Sequence, residues 1–95
     1  MRILVVDDEL DIREFVQYNL IKEGYEVACA SNGLEAIDLA TKFRPHLILM
    51  DMMMPEMDGR EACRALRANP ATANTMIVFL SAVCEEESLV GCYEA

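Results

Sequence analysis

The chain has 95 residues, of which 54% are hydrophobic, with only four glycines and three prolines. This composition excludes a disordered or collagen-like chain and suffices for one small domain spanning residues 1–95. The formal net charge of −9 argues against nucleic-acid or anionic-membrane partners and favours cations or basic ones. No apolar run approaches the roughly 20 residues of a membrane span, so the sequence predicts a soluble, cytoplasmic protein.

Short apolar runs alternate with segments of helical spacing, beginning with a strand predicted over Ile3–Val6. Asp11 with Glu14 is the predicted cap of the first helix, and Gly24 is its predicted end. Four residues form the predicted buried stripe of this helix: Ile12, Phe15, Val16 and Leu20.

A weaker, more polar strand is predicted over Tyr25–Ala30, followed by a second helix over Gly33–Phe43. Asn32 is the predicted N-cap of this helix with Glu35 as its partner, and Pro45 stops the helix. Its predicted buried stripe consists of Leu34, Ile37 and Ala40.

A second fully buried strand is predicted over Leu47–Met50, directly before Asp51. Asp58 and Glu61 predict the start of a third helix, and Pro70 follows its end. The residues of this helix predicted to face the core are Ala62, Cys63 and Leu66.

The last predicted strand, Met76–Leu80, ends at Ser81, and the acidic residues 85–87 predict the start of a fourth helix. The resulting order βαβαβαβα predicts an α/β fold with a doubly wound parallel sheet. Right-handed crossovers then place helices on both faces of that sheet.

Acidic side chains follow two of these strands: Asp7 and Asp8 end the first, and Asp51 ends the third, while Ser81 ends the fourth. Open parallel sheets bind ligands beyond the carboxyl ends of their strands, so these side chains are expected to converge. Crowded carboxylates recruit a cation such as Mg²⁺, beside which an aspartate can become a nucleophile for phosphate. A single aspartate after a strand is more often a cap or turn residue, but convergence from three strands favours a site.

The sulfur and imidazole side chains have no zinc-site spacing. The cysteines are Cys29, Cys63, Cys84 and Cys92. We interpret them as reduced thiols of a reducing compartment, His46 as a surface residue, and residues 52–54, all Met, as loop packing.

Three segments together resemble the receiver domain of two-component response regulators. They are Ile3–Glu9, Leu47–Asp51 with the following Met54–Gly59, and Phe79–Ala82. The resemblance covers the whole chain in order and spacing, and it implies a flavodoxin-like sheet with strand order 2-1-3-4-5.

The resemblance also implies roles for the site residues. Asp51 is the implied phosphoacceptor, which receives phosphate from a phosphohistidine on a sensor histidine kinase or phosphotransfer protein. Asp8 and Asp51 are implied direct ligands of Mg²⁺, with Mn²⁺ as an alternative. The backbone carbonyl of Met53 is the implied third protein ligand, and Asp7 acts through water.

Ser81 is the implied residue that moves toward the phosphoryl group on activation, and Ala82 is the small neighbour that leaves access to it. The implied function is a signalling switch and not an enzyme. Its own phosphorylation and slow autodephosphorylation are the only reactions expected.

The sequence departs from the family pattern after the fourth strand. The family ends its fifth strand with a lysine, but no lysine follows Ser81, and Lys22 and Lys42 lie in predicted helices. We therefore expect an incomplete receiver that lacks the fifth strand and the fifth helix. Strand Met76–Leu80 would then be an exposed edge, which favours a homo-oligomer formed through this strand or by segment exchange.

Two other functions remain open. A Mg²⁺-dependent phosphohydrolase would use Asp51 as its nucleophile. Enzymes of the haloacid-dehalogenase type have a second acid two residues later, where this sequence has Met53. The other alternative is a phosphorylation-independent interaction module, which the missing lysine favours.

Overall fold

The computed structural model describes residues 1–54 and 57–80. The elements are β1 (Arg2–Val6), α1 (Leu10–Lys22), β2 (Glu26–Ala30), α2 (Gly33–Phe43), β3 (Leu47–Met50), α3 (Gly59–Ala68) and β4 (Met76–Phe79). The sheet order is β2-β1-β3-β4 with parallel neighbours, which confirms the predicted α/β fold and the 2-1-3-4 part of the implied order. The predicted fourth helix lies outside the described residues. None of the helices within them is long and apolar enough to cross a membrane.

β1 lies at the centre of the core. Its residues Ile3–Val6 are at most 2% exposed. A strand that is buried at consecutive positions must be covered on both faces, as its continuous apolar run predicts. β3 adds Ile48 and Met50 to this core, and β4 adds Ile77, none of which has exposed surface.

Local hydrogen bonds decide where α2 and α3 begin. The side-chain oxygen of Asn32 accepts the Glu35 N–H at 2.8 Å, and the Glu35 carboxylate accepts the Ser31 N–H at 2.7 Å. The Asp58 carboxylate accepts the Glu61 N–H at 2.9 Å. Both predicted caps are therefore confirmed, because each depends only on residues within one helical turn.

The predicted inward face is right for α3 and partly wrong for α2. In α3 the buried residues include the predicted set Ala62, Cys63 and Leu66. In α2, Ala40 is buried and Ile37 packs against the core, but Leu34 is 56% exposed. Gly33 and Ala36 are the buried residues in the first half of α2, so its buried stripe consists of small residues.

α1 buries none of its residues, so its predicted stripe is wrong as a buried face. Phe15 is 70% exposed and Ile12 is 39% exposed, while Val16 and Leu20 are half-buried. The spacing correctly predicts a helix. Burial depends instead on the neighbouring layer, and among the described elements α1 packs mainly on β1 and β2.

The start of α1 also differs from the prediction. The helix begins at Leu10, and its N-cap Glu9 makes no side-chain cap bond, so the cap predicted at Asp11 is wrong. The helix starts early because the Asp7 carboxylate accepts the Glu9 N–H at 2.9 Å and turns the chain directly after β1. Gly24, with φ of 95°, follows the helix end as predicted.

At the amino ends of the strands, Arg2 joins β1 to the connection between α2 and β3. The Arg2 N–H donates to His46 Nδ1 at 3.0 Å, and the His46 N–H donates to the Arg2 carbonyl at 2.8 Å. The Arg2 guanidinium donates to the carbonyls of Phe43 and Arg44, each at 2.9 Å. These bonds satisfy carbonyls at the end of α2, and His46 is exposed as predicted.

Two glycines lie where a side chain would not fit. A Cβ on Gly59 would lie 2.7 Å from the Phe79 ring and 2.8 Å from the Asp51 carbonyl oxygen. A Cβ on Gly33 would lie 2.9 Å from side-chain atoms of Met57. The methionine can change rotamer to make room, whereas a buried ring and a backbone carbonyl cannot.

We therefore expect Gly59→Ala to lower the free energy of unfolding by about 1–3 kcal/mol through overpacking. The matched control Gly33→Ala should lower it by less than about 1 kcal/mol, because Met57 can move. Urea unfolding of both variants measures the difference. Equal losses in the two variants would show that the close approach at Gly59 has no special energetic importance.

Candidate functional site

Backbone hydrogen bonds fix the aspartates at the carboxyl edge of the sheet. Val6 lies opposite Met50 in the parallel β1–β3 pair. The Asp51 N–H donates to the Val6 carbonyl at 2.8 Å, and the Asp7 N–H donates to the Ala30 carbonyl at 3.1 Å. β1 and β3 therefore end level with each other, so the acidic residues that follow them lie side by side.

The three carboxylates form one cluster. Oxygens of Asp7, Asp8 and Asp51 all lie within 4.8 Å of one another. Asp7 is 3% exposed, Asp51 is partly buried, and Asp8 is exposed. The cluster is therefore closed beneath Asp7 and open to solvent beside Asp8, and the predicted convergence of the three acids is confirmed.

Two of these carboxylates also make local turn bonds. The Glu9 N–H donates to Asp7 Oδ1 at 2.9 Å, and the Met53 N–H donates to Asp51 Oδ1 at 3.2 Å. Each bond uses one carboxylate oxygen and holds the side chain in a fixed direction. The sequence left open whether these aspartates stabilise turns or form a binding site. In the structure, Asp7 and Asp51 do the first and are also placed for the second.

The crowding alters the acidity of the central carboxyl. Burial raises the pKa of Asp51 above its usual value, and the charge of Asp7 and a hydrogen bond with Asp8 raise it further. The Met53 N–H acts in the opposite direction, because it stabilises the carboxylate. The three carboxylates therefore repel one another when they are ionised, and the surrounding fold keeps them close together.

The donor set fits a hard divalent cation. Mg²⁺ binds oxygen, keeps several waters and needs only one or two protein carboxylates. The Asp7, Asp8 and Asp51 carboxylates provide those oxygens with one side open. Within the described residues the only ion pair joins Lys42 to Asp38 at 3.0 Å, so no basic side chain occupies the cluster.

The other predicted site residues are placed as follows. Met53 lies in an exposed loop two residues after Asp51, and the ligand role of its carbonyl stays a prediction. Ser81 and Ala82 lie outside the described residues. Lys22 and Lys42 occupy the last turns of α1 and α2, at the edge of the sheet opposite the acidic cluster.

Sequence patterns did not indicate one residue that contacts the site. Arg13 Nη1 donates to the Asp7 carbonyl at 2.6 Å. Because the acceptor is a backbone carbonyl, which every residue has, the sequence contains no partner side chain that would indicate this hydrogen bond. The available signal is positional: a long side chain in the first turn of a helix points back toward the preceding loop.

Comparison with known families agrees with this geometry. Residues 3–95 match the response regulator receiver domain. The chain belongs to the response regulator receiver family. Receiver domains are signalling modules of two-component systems, and the acidic cluster of this receiver lies at the carboxyl edge of its sheet.

Solved receiver domains share the fold. The N-terminal domain of a response regulator receiver protein from Methanoculleus marisnigri JR1 is 33% identical (TM-score 0.89), with 97% of this chain and 77% of that chain covered. Chemotaxis protein CheY4 of Vibrio cholerae is 37% identical (TM-score 0.85), with 90% and 72% covered. The receiver domain of sensor histidine kinase PA1611 from Pseudomonas aeruginosa PAO1 is 30% identical (TM-score 0.85), with 99% and 77% covered. That domain has a magnesium ion coordinated in its active-site cleft.

Because folding raises the pKa of Asp51, the wild-type protein should lose stability as pH rises from about 3.8, the ordinary value, through the folded-state value. Asp51→Asn removes this penalty. We expect it to raise the free energy of unfolding at pH 7, without metal, by at most about 1 kcal/mol, because solvent screens this partly exposed carboxyl, and to have no such effect below pH 3.8.

Urea unfolding in a chelating buffer across this pH range measures the effect. Asp11→Asn, at an exposed position outside the cluster, controls for the change in net charge. A metal-free Asp51→Asn protein that is less stable than the wild type at pH 7 would refute the repulsion argument.

Proposed function

We propose that this receiver accepts phosphate on Asp51 from a phosphohistidine of a sensor histidine kinase or phosphotransfer protein, and that phosphorylation switches its conformation to control an output. The convergence of Asp7, Asp8 and Asp51 at the ends of adjacent strands is the observation that supports this proposal most. Asp51 follows the inner strand β3 and is only partly buried, so a phosphodonor has access to it.

The transfer is a displacement at phosphorus. A carboxylate oxygen of Asp51 attacks as the bond between phosphorus and the donor imidazole breaks, and the imidazole nitrogen keeps the electron pair and takes up a proton. The products are an acyl phosphate on Asp51 and a free histidine on the donor. Water later releases inorganic phosphate and restores the carboxylate. The receiver itself is the phosphorylated species, so we propose a switch and not an enzyme acting on substrates.

Asp8 and Asp51 would hold Mg²⁺ directly, with Mn²⁺ as an alternative, together with the backbone carbonyl of Met53, and Asp7 would act through water. When bound, the ion neutralises charge on the transferring phosphoryl group. The graded exposure of the three carboxylates supports this assignment, since Asp8 faces solvent and Asp7 is buried. The magnesium ion in the PA1611 receiver supports it as well.

The switch contacts are proposed for Ser81 and Ala82. The Leu80 N–H donates to the Met50 carbonyl at 2.7 Å, next to Asp51 in the sequence. A serine hydroxyl can donate a hydrogen bond to a phosphoryl oxygen, and an alanine side chain takes up little of the space that the donor needs.

We propose a cytoplasmic location, where phosphohistidine donors act, and no nucleic-acid or membrane partner for this segment, given its net charge of −9.

We also propose self-association through strand Met76–Leu80 or by segment exchange. Within the described residues β4 pairs with β3 on one side only, and Met76 is 51% exposed. Edge strands present backbone groups that a second copy can pair with.

Incubation with acetyl phosphate and Mg²⁺ should add one phosphate per chain, detected by intact mass. Asp51→Asn should abolish the adduct because it removes the nucleophile, and a chelator should suppress it. Asp38→Asn, an exposed aspartate on α2, should leave the adduct unchanged.

Other results would favour other functions. Repeated turnover of small phosphate esters would indicate a phosphohydrolase. A folded protein that forms no adduct with any phosphodonor would refute the proposal and favour a phosphorylation-independent interaction module.

Sedimentation velocity tests self-association. We expect a sedimentation coefficient that rises with protein concentration, and we expect Met76→Lys to shift the species toward the monomer by placing a charge on the β4 edge. Leu34→Lys puts the same charge on an equally exposed apolar position of α2 and should not change association. A wild-type protein that stays monomeric at all concentrations would contradict this proposal.

A further inference from the structure

We propose that Arg13 is a positioning residue that sets the Mg²⁺ affinity of the acidic cluster by fixing the peptide between Asp7 and Asp8. The inference rests on the proposed function and concerns a residue that touches neither the cation nor the phosphoryl group. Arg13 lies in the first turn of α1, and its half-buried side chain returns to the end of β1.

The bond from Arg13 controls the backbone just before Asp8. Its Nη1 donates to the Asp7 carbonyl at 2.6 Å, and the positive charge of the guanidinium strengthens this hydrogen bond. The carbonyl of Asp7 and the N–H of Asp8 belong to one planar peptide unit. Fixing that carbonyl therefore fixes the plane from which the Asp8 side chain, the proposed direct ligand, departs.

Asp7 is held at three separate points. Its N–H donates to the Ala30 carbonyl at 3.1 Å, its Oδ1 accepts the Glu9 N–H at 2.9 Å, and its carbonyl accepts from Arg13. The first two bonds involve only the backbone and the Asp7 side chain itself. Arg13 contributes the one bond of the three that comes from another side chain, so a single substitution can remove it.

Arg13 positions the cluster without neutralising it. Burial raises the pKa of the Cys29 thiol and hydrogen bonds from Ser31 lower the pKa of Glu35, and the charge of Arg13 is a smaller, lowering influence on both groups. Arg13 forms no ion pair with Asp7, Asp8 or Asp51, because the only ion pair among the described residues is that of Lys42 with Asp38. A cation that bonds only to the carbonyl leaves all three carboxylates available to the metal ion.

The test compares Arg13→Met with Arg64→Met. Arg64 is exposed on α3, so its loss changes the net charge equally but breaks no bond to the site. Calorimetric titration with Mg²⁺ should give a dissociation constant about tenfold higher for Arg13→Met than for Arg64→Met, as expected when an outer-shell partner of a metal ligand is removed. Arg13→Lys retains a charged donor and should recover part of the loss.

A second readout needs no metal. In a chelating buffer, the Asp8 amide resonance should shift and exchange its proton faster with solvent in Arg13→Met, and not in Arg64→Met. Thermal melts establish whether each variant is folded. If Arg13→Met is not folded, Arg13→Lys is compared with Arg64→Met instead.

The outcomes separate the two proposals. Equal Mg²⁺ affinities and unchanged Asp8 amides would overturn the positioning role while leaving phosphorylation of Asp51 intact. A wild-type protein that binds Mg²⁺ in an Arg13-dependent manner but forms no phosphate adduct would overturn the proposed function alone. A wild-type protein that does not bind Mg²⁺ would overturn both.

Discussion

The parallel register of β1 and β3 is the constraint on which the site depends. Val6 lies opposite Met50, and the aspartates that follow the two strands therefore meet at one edge. A shift of one residue would turn every side chain of a strand to the opposite face. Ile3–Val6 are buried, and this register places Asp7 and Asp51 directly beyond the buried segments of their strands.

The sequence predicts two of the three helix caps and the meeting of the acidic strand ends, but not the cap of α1. The caps at Asn32 and Asp58 are correct because a cap is decided within one turn, and the acidic cluster is correct because parallel strands end at the same edge. The buried stripe of α1 is wrong because spacing cannot specify which layer covers a helix, and Phe15 is exposed. Arg13 escapes prediction because its acceptor is a backbone carbonyl, which every residue type carries.

The cluster is an electrostatically unfavourable arrangement that the rest of the fold supports. The pKa of Asp51 is raised because burial and two neighbouring acids oppose its charge, while the Met53 N–H favours the charged form. Ligand sites commonly retain such locally unfavourable arrangements, since the same repulsion creates affinity for a cation. At the amino ends of the strands, away from the acidic cluster, the hydrogen bonds of Arg2 with His46 and Phe43 stabilise the sheet.

The close approach at Gly59 determines how tightly the elements around the acidic cluster can pack. The Phe79 ring, the Asp51 carbonyl and the Met52 backbone approach Gly59 so closely that no side chain fits there. Because only a hydrogen atom fits on the α-carbon of Gly59, the loop after Asp51 and the aromatic ring at the end of β4 can both lie close to the start of α3. Gly59 thus lets α3, the loop after Asp51 and the end of β4 meet at the carboxyl edge of the sheet.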